Sequence, residues 1–250
     1  MNRIELSVKN IPFPSLTATT DSPFDTSTIA PPRIAGTDVA PHATFAPMQY
    51  EAGYAYPLVI WLHSQQGSEQ QLRRVMPLVS MRNYVAVAPR GTRRDRVQRE
   101  AYDWQQTDDG IEQAESRIFD CLDLVKRRFH IHPNRVFLAG YGGGGTMALR
   151  VAWNNPGQFA GVATVGGPLP TQLRPFRCVN QLRRVPCFLA TARQSGHYPE
   201  QQVCRDLRLL HAAGCVVALR QYPCGDELTT AMLSDLDRWL MEQVRGPSQQ

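Results

Sequence analysis

The chain has 250 residues, of which 42% are hydrophobic and 20% charged. This length and composition predict a globular protein that can bury a sizeable core in one domain. No apolar run approaches the length of a membrane span, and the N-terminus lacks the apolar stretch of a signal peptide. We therefore expect a cytoplasmic protein with no membrane span.

The net charge of +5 comes almost entirely from arginine, because the chain has only two lysines. Basic residues form two clusters along the sequence: Arg90, Arg93, Arg94, Arg96 and Arg99, and then Lys126, Arg127 and Arg128. One interpretation is an arginine-mediated binding module for nucleic acid or another acidic partner. No nucleic-acid-binding motif and no interleaved aromatic residues accompany the clusters. A solvated basic surface is therefore favoured, and nucleic acid is not expected as a partner.

The cysteines are spread along the chain without any C-x-x-C pair: Cys121, Cys178, Cys187, Cys204, Cys215 and Cys224. In a chain without a secretion signal, this pattern favours reduced thiols over a disulfide framework. The spacing does not match a zinc motif either. We predict neither a metal nor a cofactor.

Residues 11–47 are rich in Pro, Thr, Ser and Ala. They show neither the alternation of a strand nor the 3.6-residue period of a helix. We predict an irregular N-terminal arm over residues 1–47 and a single domain over residues 48–250.

From Tyr56 onward, apolar runs typical of buried strands alternate with amphipathic helices. The predicted strands are residues 57–62, 84–88, 135–139, 160–165, 185–190 and 216–221. The predicted helices carry apolar residues at helical spacing from Ile111 to Phe129, from Val203 to Leu210 and from Leu228 to Leu240. This alternation predicts an α/β fold with a doubly wound, mainly parallel sheet and helices on both faces.

The segment at residues 135–156, RVFLAGYGGGGTMALRVAWNNP, combines a strand, a glycine-rich turn and a helix that we expect to begin near Thr146. A phosphate-binding loop does not fit, because the dinucleotide and Walker motifs are both incomplete. The alternative is a nucleophile elbow, G-x-S-x-G, in which a sharp turn lifts a serine above the sheet. Gly142 stands where that serine would be, and we expect it to keep the positive φ of such a turn.

This segment resembles the phospholipase/carboxylesterase family, the acyl-protein thioesterase-like α/β hydrolases, which typically carry a stretch like R-V-F-L-A-G-F-S-Q-G-G-x-M-A-L. PLVIWLHSQQGSEQQL, at residues 57–72, is similar to the family's strand that ends in L-H-G-x-G. NNPGQFAGVATVGGPLP, at residues 154–170, is similar to the helix end and strand after the elbow. The resemblance covers most of the chain after Met48. It implies an α/β-hydrolase fold and a serine ester hydrolase.

The same resemblance locates the other two members of a Ser–Asp–His triad. The family's acid lies in a G-x-x-D-x-x-V-P loop, which corresponds here to TARQSGHYPEQ with Ser195 at the acid position. Its histidine lies in Y-P-G-G-H-E-L, which corresponds to YPCGDEL with Asp226 at the histidine position. All three triad positions, Gly142, Ser195 and Asp226, therefore hold other residues. This predicts a catalytically degenerate hydrolase, a pseudoenzyme.

The resemblance also implies that the backbone N–H groups of Gln65 and Gly143 form the oxyanion hole, which side-chain substitutions do not remove. Other loop residues expected around the pocket are His63, Ser64, His197 and Cys224. We predict that this pocket binds a small ester-like molecule or a carboxylate, or that the protein binds a protein partner.

Two catalytic alternatives remain. A carboxylesterase- or phospholipase-type enzyme could use displaced residues: Ser64, Ser195 or Cys224 as nucleophile, and His63 or His197 as base. In that arrangement Asp226 and His197 would form an acid–base pair in inverted positions. A metal site built from His63, His197, Asp226 and Glu227 is less favoured, because these residues include no short-range ligand pair.

Overall fold

The computed structural model describes residues 40–93, 101–171 and 183–246. The strands are β1 (His42–Phe45), β2 (Tyr56–Leu62), β3 (Val85–Pro89), β4 (Thr92–Arg93), β5 (Tyr102–Asp103), β6 (Ile131–Tyr141), β7 (Gly161–Val165), β8 (Cys187–Ala192) and β9 (Val217–Tyr222). The helices are α1 (Gln71–Val79), α2 (Asp108–Arg128), α3 (Gly143–Asn154), α4 (Glu200–Ala212) and α5 (Thr230–Arg245).

Seven of the strands form one sheet in the order β1-β3-β2-β6-β7-β8-β9. β1 runs antiparallel to β3, and all other neighbours in this sheet are parallel. β4 and β5 form a separate antiparallel pair. The predicted α/β-hydrolase fold with a mainly parallel sheet is confirmed. Each of the six predicted strands overlaps an observed one.

Hydrophobic side chains on the two faces of the sheet form two separate cores. Leu58 and Ile60 of β2 point into the core that α2 and α3 cover. Val59 and Trp61 point into the core that α1 and α5 cover. This alternation follows from the two-residue period of a strand, and β2 reads as one continuous apolar run because both of its faces are buried.

The helix α2 shows how local sequence fixes the helix ends. Its N-cap, Thr107, accepts a hydrogen bond from the N–H of Gly110, and Asp108 and Asp109 occupy the first turn. Basic residues fill the last turn, so the charges at both ends interact favourably with the helix dipole and stabilise the helix. The helix α4 begins after Pro199, and Gly214 follows it at a φ of +71°, so the predicted helical residues Val203–Leu210 lie within it.

Three boundaries differ from the predictions. β1 lies within residues 1–47, where we predicted only an irregular arm, because four residues between Pro41 and Pro47 are too few to show a period. The rest of that arm, residues 1–39, lies outside the described residues. α3 begins at Gly143 and not near Thr146, and α5 begins at Thr230, after Leu228. Within the described ranges, no helix is long and apolar enough to cross a membrane.

The parallel strands place six loops at one edge of the sheet. These loops follow the carboxyl ends of β2, β3, β6, β7, β8 and β9. In open α/β sheets this edge is where ligands bind. It contains every residue that the sequence marked as a site candidate.

Candidate functional site

The turn between β6 and α3 has the backbone of a nucleophile elbow. Gly142 lies between the strand and the helix with φ +55° and ψ −123°. Its N–H donates to the carbonyl of Val165 at 2.8 Å, and its own carbonyl accepts from the N–H of Thr146 at 3.1 Å. The predicted positive φ is confirmed. A residue with a Cβ rarely adopts this conformation, whereas glycine does so freely.

The glycines after Gly142 allow the first turn of α3 to pack directly against the sheet. A Cβ on Gly144 would collide with the backbone carbonyl oxygens of Leu62 and His63. A Cβ on Gly145 would collide with the hydroxyl of Thr164. Close packing therefore orders the run of four glycines.

The side chain of Gln65 lies over the elbow. A Cβ built on Gly142 would lie 2.5 Å from Gln65 Oε1, and one built on Gly143 would lie 2.9 Å from Gln65 Cδ. The carboxamide thus fills the space that the first atom of a side chain at position 142 would need. The sequence identified Gln65 only through its backbone N–H. The motif gave no sign of where its side chain lies.

The loops after β8 and β9 meet through the carboxylate of Asp226. Ser195 donates its hydroxyl to Oδ1, while the N–H of Gly196 and Nδ1 of His197 each lie 2.9 Å from Oδ2. The Tyr198 N–H donates to Ser195 Oγ at 2.8 Å, so the same hydroxyl also accepts a hydrogen bond and is held in place. Partial burial alone would raise the pKa of Asp226, but the hydrogen bonds from Ser195, His197 and Gly196 outweigh it and lower the pKa to about 2.

Asp226 is also tied to the elbow strand. Tyr141, the last residue of β6, donates its hydroxyl to the backbone carbonyl of Asp226 at 2.7 Å. Burial and the neighbouring Asp226 raise the pKa of Tyr141 to about 12, so this hydroxyl keeps its proton at neutral pH. The His197 side chain is 79% exposed and the Asp226 side chain 35% exposed, so solvent reaches both.

Of the other candidates, His63 serves the fold. The residue is fully buried, its Nε2 accepts from the N–H of Gly91 at 3.0 Å, and its Nδ1 lies 2.8 Å from the carbonyl oxygen of Ser64. Burial lowers the pKa of His63, so the ring is neutral with both nitrogens engaged. The Ser64 hydroxyl accepts from Nε2 of Gln71 at 3.1 Å. Burial raises the pKa of the Cys224 thiol, which disfavours the nucleophilic thiolate.

A cavity of about 940 Å³ lies between the elbow and the two loops. The site candidates that line it are Ser64, Gln65, Gly142, Gly143, His197 and Asp226, whereas His63, Ser195 and Cys224 are not among its lining residues. The remaining charged lining residues are Asp103 and Glu227. No lysine or arginine lines the cavity in the part of the chain that the structure describes.

The two N–H groups predicted for the oxyanion hole belong to cavity-lining residues. Neither the Gln65 N–H nor the Gly143 N–H has a hydrogen-bond acceptor among the described residues. Gly143 is the first residue of α3, so the helix dipole adds to the positive electrostatic potential at its N–H. The arrangement is suited to binding an oxygen that carries partial or full negative charge.

The metal alternative finds no support among the described residues, and the arginine alternative stays a prediction. No three His, Cys, Asp or Glu side chains are close enough to hold a metal ion in the described ranges. Arg94, Arg96 and Arg99 lie outside those ranges. The Nε of Arg90 donates to Glu69 at 2.7 Å, and Glu69 is buried, so this arginine is bound within the fold.

Residues 37–207 match the family described as "Putative esterase". Over 50 residues the chain is 42% identical to "Putative esterase NocK" of Nocardia uniformis subsp. tsuyamanensis. That match spans 20% of this chain and 14% of the length of NocK.

Solved structures with the same fold include SOBER1 of Arabidopsis thaliana, with a TM-score of 0.64 at 15% identity, covering 76% of this chain and all of SOBER1. The Bacillus cereus carboxylesterase has a TM-score of 0.63 at 15% identity, over 81% of this chain and 93% of that protein. A carboxylesterase from Mesorhizobium loti has a TM-score of 0.63 at 17% identity, over 78% and 92% of the two chains. At these identities the likeness establishes a shared fold.

Proposed function

Because the chain belongs to the family described as "Putative esterase", we propose that it is a degenerate esterase, which binds a carbonyl- or carboxylate-containing molecule in the cavity without hydrolysing it. The observation that carries this proposal is the elbow itself. Gly142 presents no side chain there, and the carboxamide of Gln65 occupies the adjoining space.

Acyl transfer by a serine hydrolase needs a nucleophile, a base that removes its proton and a group that orients the base. At the predicted base position, the carboxylate of Asp226 has a pKa of about 2, so it is a very weak base at neutral pH. At the predicted acid position, the Ser195 hydroxyl is a hydrogen-bond donor to that carboxylate and cannot stabilise an imidazolium.

Binding does not depend on those three side chains. The N–H groups of Gln65 and Gly143 remain available to a carbonyl oxygen, and the cavity is large enough for a small organic molecule. A protein that retains this pocket and lacks the nucleophile is expected to hold an ester-like ligand in a Michaelis-type complex.

The test is hydrolysis of short p-nitrophenyl esters together with labelling by a fluorophosphonate, which reacts covalently only with an activated serine. We expect no turnover above spontaneous hydrolysis and no labelling. A turnover number in the ordinary enzyme range of about 1–10³ s⁻¹, abolished by a substitution in the cavity, would refute the proposal.

A second candidate function is ester hydrolysis by displaced residues, and the His197–Asp226 contact of 2.9 Å favours it. A carboxylate that accepts from Nδ1 leaves Nε2 as the basic nitrogen, so this pair resembles the base and the orienting acid of a triad. It could act on water directly. In that case His197→Ala would abolish ester turnover, while fluorophosphonate labelling would be absent in both proteins.

A further inference from the structure

The side chain of Gln65 makes no hydrogen bond to any other described residue, although it lies against the most constrained turn of the cavity. Its Oε1 is the atom nearest to the position that a Cβ on Gly142 would take, and its Nε2 lies 3.0 Å from the corresponding position on Gly143. The carboxamide therefore lies against Gly142 and Gly143, and neither its donor nor its acceptor has a hydrogen-bond partner among the described residues.

We infer that Gln65 is a specificity-determining residue that has taken the place of the nucleophile side chain and selects ligands carrying a neutral carboxamide group. The inference rests on the proposed binding function and names its ligand class. A carboxamide ligand would accept at its carbonyl oxygen from the N–H groups of Gln65 and Gly143. Its own N–H would donate to Gln65 Oε1.

The charge of the cavity separates a carboxamide from a carboxylate. Asp103, Asp226 and Glu227 line the cavity, and His197 is the one basic side chain among the described lining residues. The low pKa of Asp226 keeps its carboxylate ionised at neutral pH. A ligand carboxylate would meet like charge from these groups and would also leave Gln65 Oε1 without a donor, and each effect disfavours it.

An ester carbonyl can use the two backbone donors, but it has no hydrogen to offer to Oε1. A ligand that covers Oε1 without offering it a donor displaces the water bound there and leaves the acceptor unpaired, so the carboxamide is also favoured over an ester of the same size. Gln65 thereby discriminates among neutral ligands as well as between neutral and charged ones.

The test is a titration of the full-length protein with butyramide and with butyrate, followed by amide chemical shifts. We expect butyramide to bind the wild-type protein more tightly than butyrate. Gln65→Ala should weaken butyramide binding about tenfold, the equivalent of one hydrogen bond. Gln65→Glu keeps an acceptor in place, so butyramide binding should stay within about threefold of wild type while butyrate binding falls further.

Gln113→Ala is the control, because Gln113 is an exposed glutamine on α2 that does not line the cavity. We expect it to leave both affinities unchanged. If Gln65 were only structural, both Gln65 variants would bind both ligands more weakly, and the ratio of the butyramide and butyrate affinities would not change. The inference is overturned if butyramide does not bind, if butyrate binds as tightly, or if Gln65→Ala leaves the ratio of the two affinities unchanged.

The ester assay keeps this inference separate from the proposed function. Turnover of p-nitrophenyl esters by the wild-type protein would end the non-catalytic proposal, whatever the ligand preference. Absence of turnover combined with an unchanged affinity ratio in the Gln65 variants would end the carboxamide inference alone.

Discussion

The elbow and the two loops opposite it are stabilised in different ways. At the elbow, backbone packing fixes the geometry: Gly144 and Gly145 lie against carbonyl oxygens and a hydroxyl with no space for a Cβ. In the loops, side chains fix the geometry, since Ser195, His197 and the Gly196 N–H all converge on the carboxylate of Asp226.

Under the proposed function, this difference explains how other residues at the predicted triad positions are compatible with one fold. A glycine at position 142 adopts the positive φ without the strain that a serine would carry there, so the turn needs no compensation. In the loops, a change at one position requires a partner at the other. A hydroxyl at 195 and a carboxylate at 226 still form a hydrogen bond between the same two loops.

The largest expected effect tests whether close packing holds the elbow. Gly144→Ala would place a methyl group against the carbonyl oxygens of Leu62 and His63, and rigid backbone cannot move away cheaply. We expect the free energy of unfolding to fall by about 3 kcal/mol, despite the better helix propensity of alanine. Urea denaturation measures the change.

Gly225→Ala is the control for that substitution. A Cβ on Gly225 would have no atom within 4 Å, and its φ is not positive. We expect a change within about 0.5 kcal/mol. Equal destabilisation by the two variants would mean that the elbow is no more tightly packed than the loops.

The next prediction concerns esterase activity when a serine, an aspartate and a histidine are placed at the elbow and in the two loops together. Gly142→Ser, Ser195→Asp and Asp226→His in one chain should give esterase activity about a hundredfold above that of Gly142→Ser alone, because a serine without its base is a feeble nucleophile. Ester turnover and fluorophosphonate labelling measure this.

Gln65 sharpens that experiment. Its Oε1 lies in the space of the new serine, so Gln65→Ala in the triple variant should raise the labelling rate further, by about tenfold, whereas Gln113→Ala should not. A folded triple variant that stays inert with and without Gln65→Ala would show that the oxyanion donors are not aimed at position 142.

A smaller effect tests a buried hydrogen bond that supports the loop after β8, between Tyr198 and Asp206. Tyr198 is 1% exposed and donates its hydroxyl to the buried carboxylate of Asp206 at 2.9 Å, and the N–H of Leu169 donates to the same oxygen. Tyr198→Phe should cost about 2 kcal/mol, because a buried carboxylate loses one of the two donors that the described residues supply to it. Tyr222→Phe removes a similar bond to the more exposed Asp235 and should cost less. The reverse order in thermal unfolding would contradict this.

The sequence predicts the frame of the molecule better than the contents of its cavity. The apolar runs of β2 and β3 and the turn at Gly142 each follow from local patterns, because burial on both faces and a required positive φ leave clear signals in the residues. The short strand β1 leaves no such signal. The position of the Gln65 side chain depends on two glycines that lie far from it in sequence, and no local pattern encodes it.

His63 and His197 illustrate the same limit. Both are loop histidines with equal claims from the sequence, yet the structure buries one between backbone groups and leaves the other exposed beside Asp226. Their roles depend on which loops meet at the edge of the sheet. That is a property of strand order, which residue spacing alone does not specify.

The smallest expected effect is the pH dependence of the Asp226 contacts. The pKa of Asp226 is about 2 in the folded protein, below the ordinary value near 4, so its hydrogen bonds stabilise the fold above pH 4. That contribution is lost as the pH falls from about 4 towards 2. Asp226→Asn removes the charge at every pH and replaces one of the two acceptor oxygens by a donor.

At pH 7 we expect Asp226→Asn to lower the free energy of unfolding by less than about 1 kcal/mol, because solvent screens this partly exposed carboxylate. The difference from the wild-type protein should shrink as the pH falls from 4 towards 2, where the wild-type carboxyl is itself protonated. Asp123, exposed on α2 with no hydrogen bond to a described residue, provides the control Asp123→Asn. Urea midpoints at pH 7, 4 and 3 measure the three proteins. A gap between wild type and Asp226→Asn that stays constant across this range would mean that the carboxylate bonds from Ser195, Gly196 and His197 do not stabilise the loops, and the contrast with the elbow would then rest on backbone packing alone.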